Sequence, residues 1–121
     1  MIVGLGTDIV EIARIEQVIN RHGAEFLDRV YTAAEQREGN GRLSYLAGRW
    51  AAKESAAKAL GCGIGADCAF ADIEVLNDEL GRPVMTCRAA AAEKLGNGLR
   101  WHVSISHEDA YAVATVIVER P

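Results

Sequence analysis

The residues of this sequence that are best suited to chemistry are an acidic residue near the start and a charged cluster in mid-chain. Asp8 lies in the glycine-containing stretch IVGLGTDIV, and Glu54 and Lys58 lie in the alanine-rich segment GRWAAKESAAKALGCGIG. If Asp8 and Glu54 meet, their like charges repel unless a cation lies between them, which favours a hard divalent ion with oxygen ligands. Mg²⁺ commonly takes one or two protein carboxylates plus phosphate oxygens and waters, so nearby basic side chains would hold phosphate.

The mid-chain segment predicts a helix over about residues 46–60. Helical spacing gives it two adjacent rows of side chains, one with Trp50, Glu54 and Lys58 and the other with Arg49 and Lys53. The alternative is a solvated helix face with an ordinary ion pair between Glu54 and Lys58. Five alanines in this helix let a neighbouring backbone come close, so the helix can also hold its long side chains against a strand. The GCGIG stretch that follows can border a phosphate or simply end the helix.

The stretch that carries Asp8 predicts a strand with two different faces. Gly4, Gly6 and Asp8 share one face, while the other face is apolar, with Val3, Leu5 and Ile9. Glycine inside a strand often marks close approach by a ligand or by another backbone, so the bare face is a candidate site. The alternative is close packing against a helix, with Asp8 as a helix N-cap.

The remaining segments predict an α+β fold. A helical stripe of isoleucine and valine ends at Gly23, a short helix follows over 24–31, and Thr32 and Glu35 form a capping box. Strands over 72–76 and 83–87 form a hairpin, an alanine-rich helix follows up to Gly96, and two strands over 99–106 and 110–119 end the chain. We expect a single domain over residues 1–121, with a mainly antiparallel sheet, its last strand central, and a long packed helix.

Composition narrows the classes of partner. The net charge of −4 argues against nucleic acid as a general partner, because duplex binding depends on a basic surface. The apolar start contains Asp8 and lacks a basic leader, which predicts neither a signal peptide nor a membrane span. The three cysteines lack metal-type spacing, so we expect reduced thiols that pack as small hydrophobes, in a cytoplasmic protein.

Three segments together resemble the holo-acyl-carrier-protein synthase family of 4′-phosphopantetheinyl transferases: GLGTDIVEIARI, LAGRWAAKESAAKALGCGIG and HVSISHEDAYAVATVI. Their order and spacing match over nearly the whole chain. The resemblance implies transfer of the phosphopantetheine arm of coenzyme A to a serine of an apo-acyl-carrier protein, with release of 3′,5′-ADP and with Mg²⁺ as cofactor. It also implies a homotrimer with active sites between subunits.

The resemblance assigns roles to individual residues. It implies metal ligands at Asp8 and Glu54, and we favour Glu54 as the base that deprotonates the serine, with Asp8 or a bound water as alternatives. The implied contacts to coenzyme A are Lys58 and His107 at the phosphates, Arg49 and Lys53 as further phosphate contacts, and the turn of Gly81, Arg82 and Pro83 at the adenosine end. Arg14 and Arg21, with Arg29 as an addition, would bind the acidic carrier protein.

Two other functions are open from the residues alone. The same carboxylates could activate water in a Mg²⁺-dependent phosphohydrolase, although such enzymes generally have more acidic ligands than this sequence groups together. A non-catalytic nucleotide-binding module is the third possibility, and it would have no need of Asp8 and Glu54.

Overall fold

A computed structural model describes residues 1–61, 68–88, 92–93 and 98–121. Within these residues the elements are β1 (Ile2–Glu11), α1 (Ile12–His22), α2 (Ala24–Val30), α3 (Ala33–Gly39), α4 (Leu43–Leu60), a 3₁₀ turn (Phe70–Asp72), β2 (Ile73–Asn77), β3 (Pro83–Cys87), β4 (Arg100–His107) and β5 (Tyr111–Glu119). The predicted α+β class, the hairpins and the long helix are confirmed. Residues 62–65 of the glycine stretch and most of the predicted helix before Gly96 lie outside the described residues.

Both sheets are antiparallel. The larger one has the strand order β1-β5-β4, so the predicted central position of the last strand is confirmed. In its register Asp8 pairs with Ala114, and His107 pairs with Ala112. The strands β2 and β3 form the predicted hairpin, from the pair Ile73–Cys87 to the pair Asn77–Pro83.

The glycine face of β1 packs against α4. A Cβ atom added at Gly6 would overlap the carbonyl oxygen of Ser55, and one added at Gly4 would overlap that of Ala59. Glycine is therefore required because the two backbones touch, which confirms helix packing as the reason for the bare face. The expectation that Asp8 is a helix N-cap is wrong, because β1 continues to Glu11 and α1 begins only at Ile12.

The core lies between α4 and the larger sheet. Four small α4 residues are fully buried, and they face the alternate buried residues of β5: Ala47, Ala51, Ala52 and Ala56 against Ala112, Ala114, Val116 and Val118. The hydroxyl of Ser55 donates to Ala51 O at 2.7 Å or to Ala114 O at 2.9 Å, which links the helix to the sheet. Cys68 belongs to this core, as expected for a small hydrophobe.

The opposite face of the larger sheet is apolar and exposed in the single chain. Leu5 and Ile9 of β1 are each 64% exposed, and Tyr111 and Val113 beside them on β5 are 46% and 37% exposed. A contiguous apolar patch of this kind typically marks an interaction surface.

Candidate functional site

The first part of the site joins β1 to the last turns of α4. The ammonium group of Lys58 donates to the carboxylate of Asp8 at 3.2 Å and to the carbonyl oxygen of Thr7 at 3.0 Å. Side-chain exposure is 55% for Lys58 and 18% for Asp8, so the pair is open to a ligand. Close packing at Gly6 brings these two elements near enough for the contact. The Glu54–Lys58 pair considered from helical spacing is replaced by a pair between Lys58 and Asp8.

Glu54 lies beside this pair with a half-buried carboxylate. Burial raises the pKa of its carboxyl, the negative charge of Asp8 raises it further, and the positive charge of Lys58 opposes both effects. Asp8 is therefore close enough to act on the Glu54 carboxyl, as the pairing hypothesis requires.

The donor set at this position fits Mg²⁺. Among the described residues, no group of three or more histidine, cysteine, aspartate or glutamate side chains could hold a metal. Two carboxylates with hard oxygen donors are what Mg²⁺ takes from a protein when a substrate phosphate and waters supply its other ligands. Besides burial, repulsion by Asp8 raises the pKa of Glu54, and a cation bound to both groups would relieve that repulsion.

Lys53 lies on the interior side of α4, away from solvent. Its side chain is fully buried, and its ammonium group donates to Val30 O at 2.7 Å, Glu35 Oε1 at 2.7 Å and Phe70 O at 3.0 Å. All three of its N–H donors are thus used within the fold. The prediction that Lys53 contacts a coenzyme phosphate does not fit this geometry, and Lys53 is a structural residue.

The second part of the site is a cleft of about 220 Å³ between α4, the β2–β3 turn and the end of β4. Four of the residues predicted to contact a nucleotide line it: Arg49, Gly81, Pro83 and His107. Its other lining residues are Arg42, Ser44, Tyr45, Asn77 and Ile105. The structure therefore brings together residues that lie far apart in the sequence.

The turn that borders this cleft is held by Asp78. The backbone N–H groups of Leu80 and Arg82 both donate to Asp78 Oδ1 at 2.9 Å, and Gly81 between them has a φ of 82°, which favours glycine. The Arg82 guanidinium donates back to Asp78 at 3.1 Å, is 75% exposed, and is not among the residues that line the cleft. Gly81 and Pro83, rather than Arg82, form the wall.

The predicted carrier-binding residues lie on the exposed side of α1. Arg14 and Arg21 are both solvent-exposed, while Ile15 of the same helix is buried. Arg29 borders a separate small cleft with His22, Glu25 and Phe26. Within the described part of the chain, no hydrogen bond or ion pair joins these arginines to the carboxylate pair or to the nucleotide cleft.

Sequence reasoning missed three residues that shape the cleft: Glu38, Tyr45 and Asn77. Tyr45 O–H and Arg49 Nη2 donate to Glu38 Oε1 at 2.8 and 3.2 Å, and Asn77 N–H donates to it at 3.0 Å. For Glu38, the sequence held one signal: the capping box predicts a helix that starts after Thr32, and Glu38, three residues after Glu35, lies on the same face of that helix as Glu35.

Comparison with known proteins identifies the class of protein to which this fold, with its carboxylate pair and its cleft, belongs. Residues 4–116 match the family model of the 4′-phosphopantetheinyl transferase superfamily. The chain is 51% identical over 123 residues to the holo-[acyl-carrier-protein] synthase of Pectobacterium carotovorum, covering 98% of each chain.

Solved structures agree with the sequence relatives. The Neisseria meningitidis holo-[acyl-carrier-protein] synthase has a TM-score of 0.90 and 38% identity, with 98% of this chain and 99% of that one covered. The Helicobacter pylori holo-[acyl-carrier-protein] synthase in complex with coenzyme A has a TM-score of 0.89 and 34% identity, with 95% and 99% covered. The chain therefore belongs to the 4′-phosphopantetheinyl transferase superfamily and, within it, to the holo-[acyl-carrier-protein] synthase family. In the described ranges, no helix is both long enough and apolar enough to cross a membrane.

Proposed function

We propose that this chain is a cytoplasmic, Mg²⁺-dependent enzyme that transfers the 4′-phosphopantetheine group of coenzyme A to a serine of apo-acyl-carrier protein. One domain of residues 1–121 would carry the activity. The observation that carries the proposal is the 3.2 Å ion pair between Lys58 of α4 and Asp8 of β1, with the half-buried Glu54 carboxylate beside it. The similarity to a relative solved in complex with coenzyme A supports the choice of donor.

The reaction forms a bond between the serine oxygen and the β-phosphorus of coenzyme A and breaks the bond from that phosphorus to 3′,5′-ADP. Such a transfer depends mainly on alignment and charge neutralisation. Asp8 and Glu54 would hold Mg²⁺, which, when bound, neutralises charge on the pyrophosphate. Lys58 is exposed and already beside Asp8, so it can bind a pyrophosphate oxygen without a large movement.

The remaining groups bind the nucleotide and accept the proton. Arg49 and His107 would bind phosphate in the cleft, whose wall of Gly81 and Pro83 would lie against the adenosine end. The serine proton must leave as the new bond forms, and we propose Glu54 as its acceptor, because its half-buried carboxylate lies beside the Lys58–Asp8 pair, where the pyrophosphate would bind.

We further propose a homotrimer with active sites between subunits. The exposed apolar patch of Leu5, Ile9, Tyr111 and Val113 supports it, because association would bury these side chains. His107 lies at the edge of this patch as well as in the cleft, so a neighbouring subunit on the patch would also border the site. Arg14 and Arg21 remain our proposal for the contact with an acidic carrier protein, since both are exposed.

The test combines the purified protein, coenzyme A, MgCl₂ and an apo-acyl-carrier protein, and follows the intact mass of the carrier. We expect the carrier to gain one phosphopantetheine group and to lose that gain when EDTA replaces MgCl₂. Release of inorganic phosphate without any mass gain would indicate the phosphohydrolase instead. Coenzyme A bound without turnover would indicate a non-catalytic module.

Asp8→Ala and Glu54→Ala are each expected to lower the rate of transfer by at least about 100-fold, the scale seen when preorganised charge stabilisation is lost. Glu11→Ala is the matched control, since Glu11 is an exposed acid at the end of the same strand. Near-normal turnover in either active-site variant would contradict the role assigned to that carboxylate. Circular dichroism of each variant checks that the fold is retained.

A further inference from the structure

The carboxylate of Glu38 is an unusually well-connected group beside the nucleotide cleft. Its Oε1 atom accepts hydrogen bonds from Tyr45 O–H at 2.8 Å, Arg49 Nη2 at 3.2 Å and Asn77 N–H at 3.0 Å. Its Oε2 atom accepts a second, longer bond of 3.2 Å from Asn77 N–H. One side chain of α3 thus fixes a residue pair on α4 and the end of β2.

These contacts hold Arg49 in a single orientation. Its Nε donates to Val75 O at 3.1 Å, and its Nη2 donates to Asn77 Oδ1 at 2.9 Å as well as to Glu38. The guanidinium also stacks over the Tyr45 ring, 3.9 Å from the centroid. Within the described residues, Nη1 has no hydrogen-bond partner, so its two donors remain for a ligand in the cleft that Arg49 lines.

We propose that Glu38 is a positioning residue for coenzyme binding, and that it acts by holding Arg49 ready to bind a phosphate group in the cleft. The inference rests on the proposed function. A long arginine side chain loses much rotamer freedom when it binds an anion, and a side chain already fixed by protein contacts loses less. Glu38 supplies that fixation and belongs neither to the carboxylate pair nor to the cleft lining.

Glu38 could affect coenzyme binding in two ways, by holding Arg49 in position or by its negative charge, and the geometry allows the two effects to be tested separately. A negative charge beside Arg49 weakens the attraction of that guanidinium for a phosphate, so charge alone would make Glu38 harmful to binding. Because Oε1 makes three of the four hydrogen bonds, a glutamine with its amide oxygen in that place can keep them without the charge. An aspartate keeps the charge but is one methylene too short to reach all the donors.

The experiment measures steady-state transfer with varied coenzyme A for the wild type, Glu38→Gln and Glu38→Asp. We expect Glu38→Asp to raise the KM for coenzyme A about tenfold, the loss that follows when a hydrogen bond to a charged group is removed. The kcat of Glu38→Asp should stay within about threefold of the wild-type value, since the contact between Arg49 and the phosphate is made both in the ground state and during transfer. Glu38→Gln should hold the KM within about twofold or lower it.

A general structural role would give a different pattern. If Glu38→Asp merely reduced the amount of folded enzyme, the apparent kcat would fall and the KM would stay the same, because inactive molecules do not change the KM. A fall in kcat alone, or equal losses in the aspartate and glutamine variants, would overturn the proposal.

A double-mutant cycle tests whether Glu38 acts through Arg49. Arg49→Ala should itself raise the KM for coenzyme A, and adding Glu38→Asp to it should raise the KM no further. A further tenfold rise in the double variant would show that Glu38 acts by another route and would overturn the inference. Failure of the proposed function has a separate signature, since the wild type would then modify no carrier protein at any concentration of coenzyme A.

Discussion

Two lysines five positions apart on α4 have opposite environments, although the sequence presents them as similar. Lys53 is fully buried and donates to three acceptors from three different elements. The Lys58 side chain is 55% exposed and donates only to the Asp8 carboxylate and the Thr7 carbonyl. A buried lysine whose N–H donors are all used within the fold stabilises that fold. An exposed lysine can instead give up one of its protein acceptors and donate to a ligand.

Their carboxylate neighbours show the same difference. Glu35 accepts from Lys53 at 2.7 Å, from Val75 N–H at 2.8 Å and from Thr32 N–H at 2.9 Å, so its charge is fully compensated. Glu54, among the described residues, accepts no side-chain hydrogen bond, and both burial and Asp8 raise the pKa of its carboxyl. The satisfied carboxylate is structural, and the uncompensated one marks the candidate metal site.

Lys53→Met is expected to have the largest effect on stability. It leaves the buried Glu35 charge without its partner, which typically costs about 3–5 kcal/mol of unfolding free energy. Urea denaturation at neutral pH measures the loss. Burial lowers the pKa of Lys53 and the negative charge of Glu35 opposes that shift, so the lysine depends on its partner to remain charged.

Lys58→Met is the matched control for this comparison. A partly exposed ion pair contributes at most about 1 kcal/mol, so the control should lose much less stability than Lys53→Met. Transfer activity should show the reverse order per folded molecule, with Lys58→Met the more damaging. Equal destabilisation by the two substitutions would break the distinction between a structural and a ligand-binding lysine.

Gly6→Ala is expected to have an intermediate effect. Its new methyl group would overlap the Ser55 carbonyl oxygen and push β1 away from α4, and overpacking of this kind costs about 1–3 kcal/mol. The same displacement would separate Asp8 from Lys58 and Glu54, so the concentration of Mg²⁺ needed for half-maximal transfer should rise. Thr7→Ala, one residue along and on the outward face, should leave that Mg²⁺ dependence near the wild-type value. A normal Mg²⁺ dependence in Gly6→Ala would show that the contact between β1 and α4 does not position the carboxylates.

The sequence was sufficient for the helices and strands of the described residues and for the glycine face of β1, because strand and helix periods determine which side chains share a face. It was not sufficient for the lysines. Helical spacing put Lys53 in a row with Arg49, but the acceptors that bury it, such as Val30 O and Phe70 O, are backbone atoms of distant segments. Residue type does not reveal which backbone oxygens will accept a hydrogen bond. The burial of a charged side chain by distant segments therefore cannot be predicted from local sequence pattern.

The same reason explains the two errors around the site. Asp8 is of a type that caps helices, yet pairing with β5 extends β1 beyond it, and that pairing is a long-range contact. Glu38 went unnoticed because its partners Tyr45, Arg49 and Asn77 come from α4 and β2. By contrast, the GRP turn lies in a hairpin with a strong local signal, and its Gly81 and Pro83 line the cleft, whereas Arg82 does not. The contact of this turn with the adenosine end stays a prediction.

Glu54→Gln is expected to have the smallest effect on stability and the most informative dependence on pH. Because the pKa of Glu54 is raised in the folded protein, protonation of this carboxyl favours folding. That contribution is fully present below the ordinary pKa of glutamate and is lost as the pH rises through the raised value. Without a divalent cation, the wild type should therefore lose stability relative to Glu54→Gln across this window, by less than about 1 kcal/mol.

Added Mg²⁺ sharpens this last comparison. Burial and repulsion by Asp8 both raise the pKa of Glu54, and a cation bound between the two carboxylates removes the repulsion, so Mg²⁺ should stabilise the wild type at neutral pH. In Glu54→Gln it should do much less, because one carboxylate ligand is missing. Urea denaturation from about pH 4 to about pH 8, with EDTA or with MgCl₂, measures both effects. A difference between the two proteins that changes with neither pH nor Mg²⁺ would mean that the Glu54 carboxylate is as well compensated as that of Glu35, and the contrast between the two regions would fail.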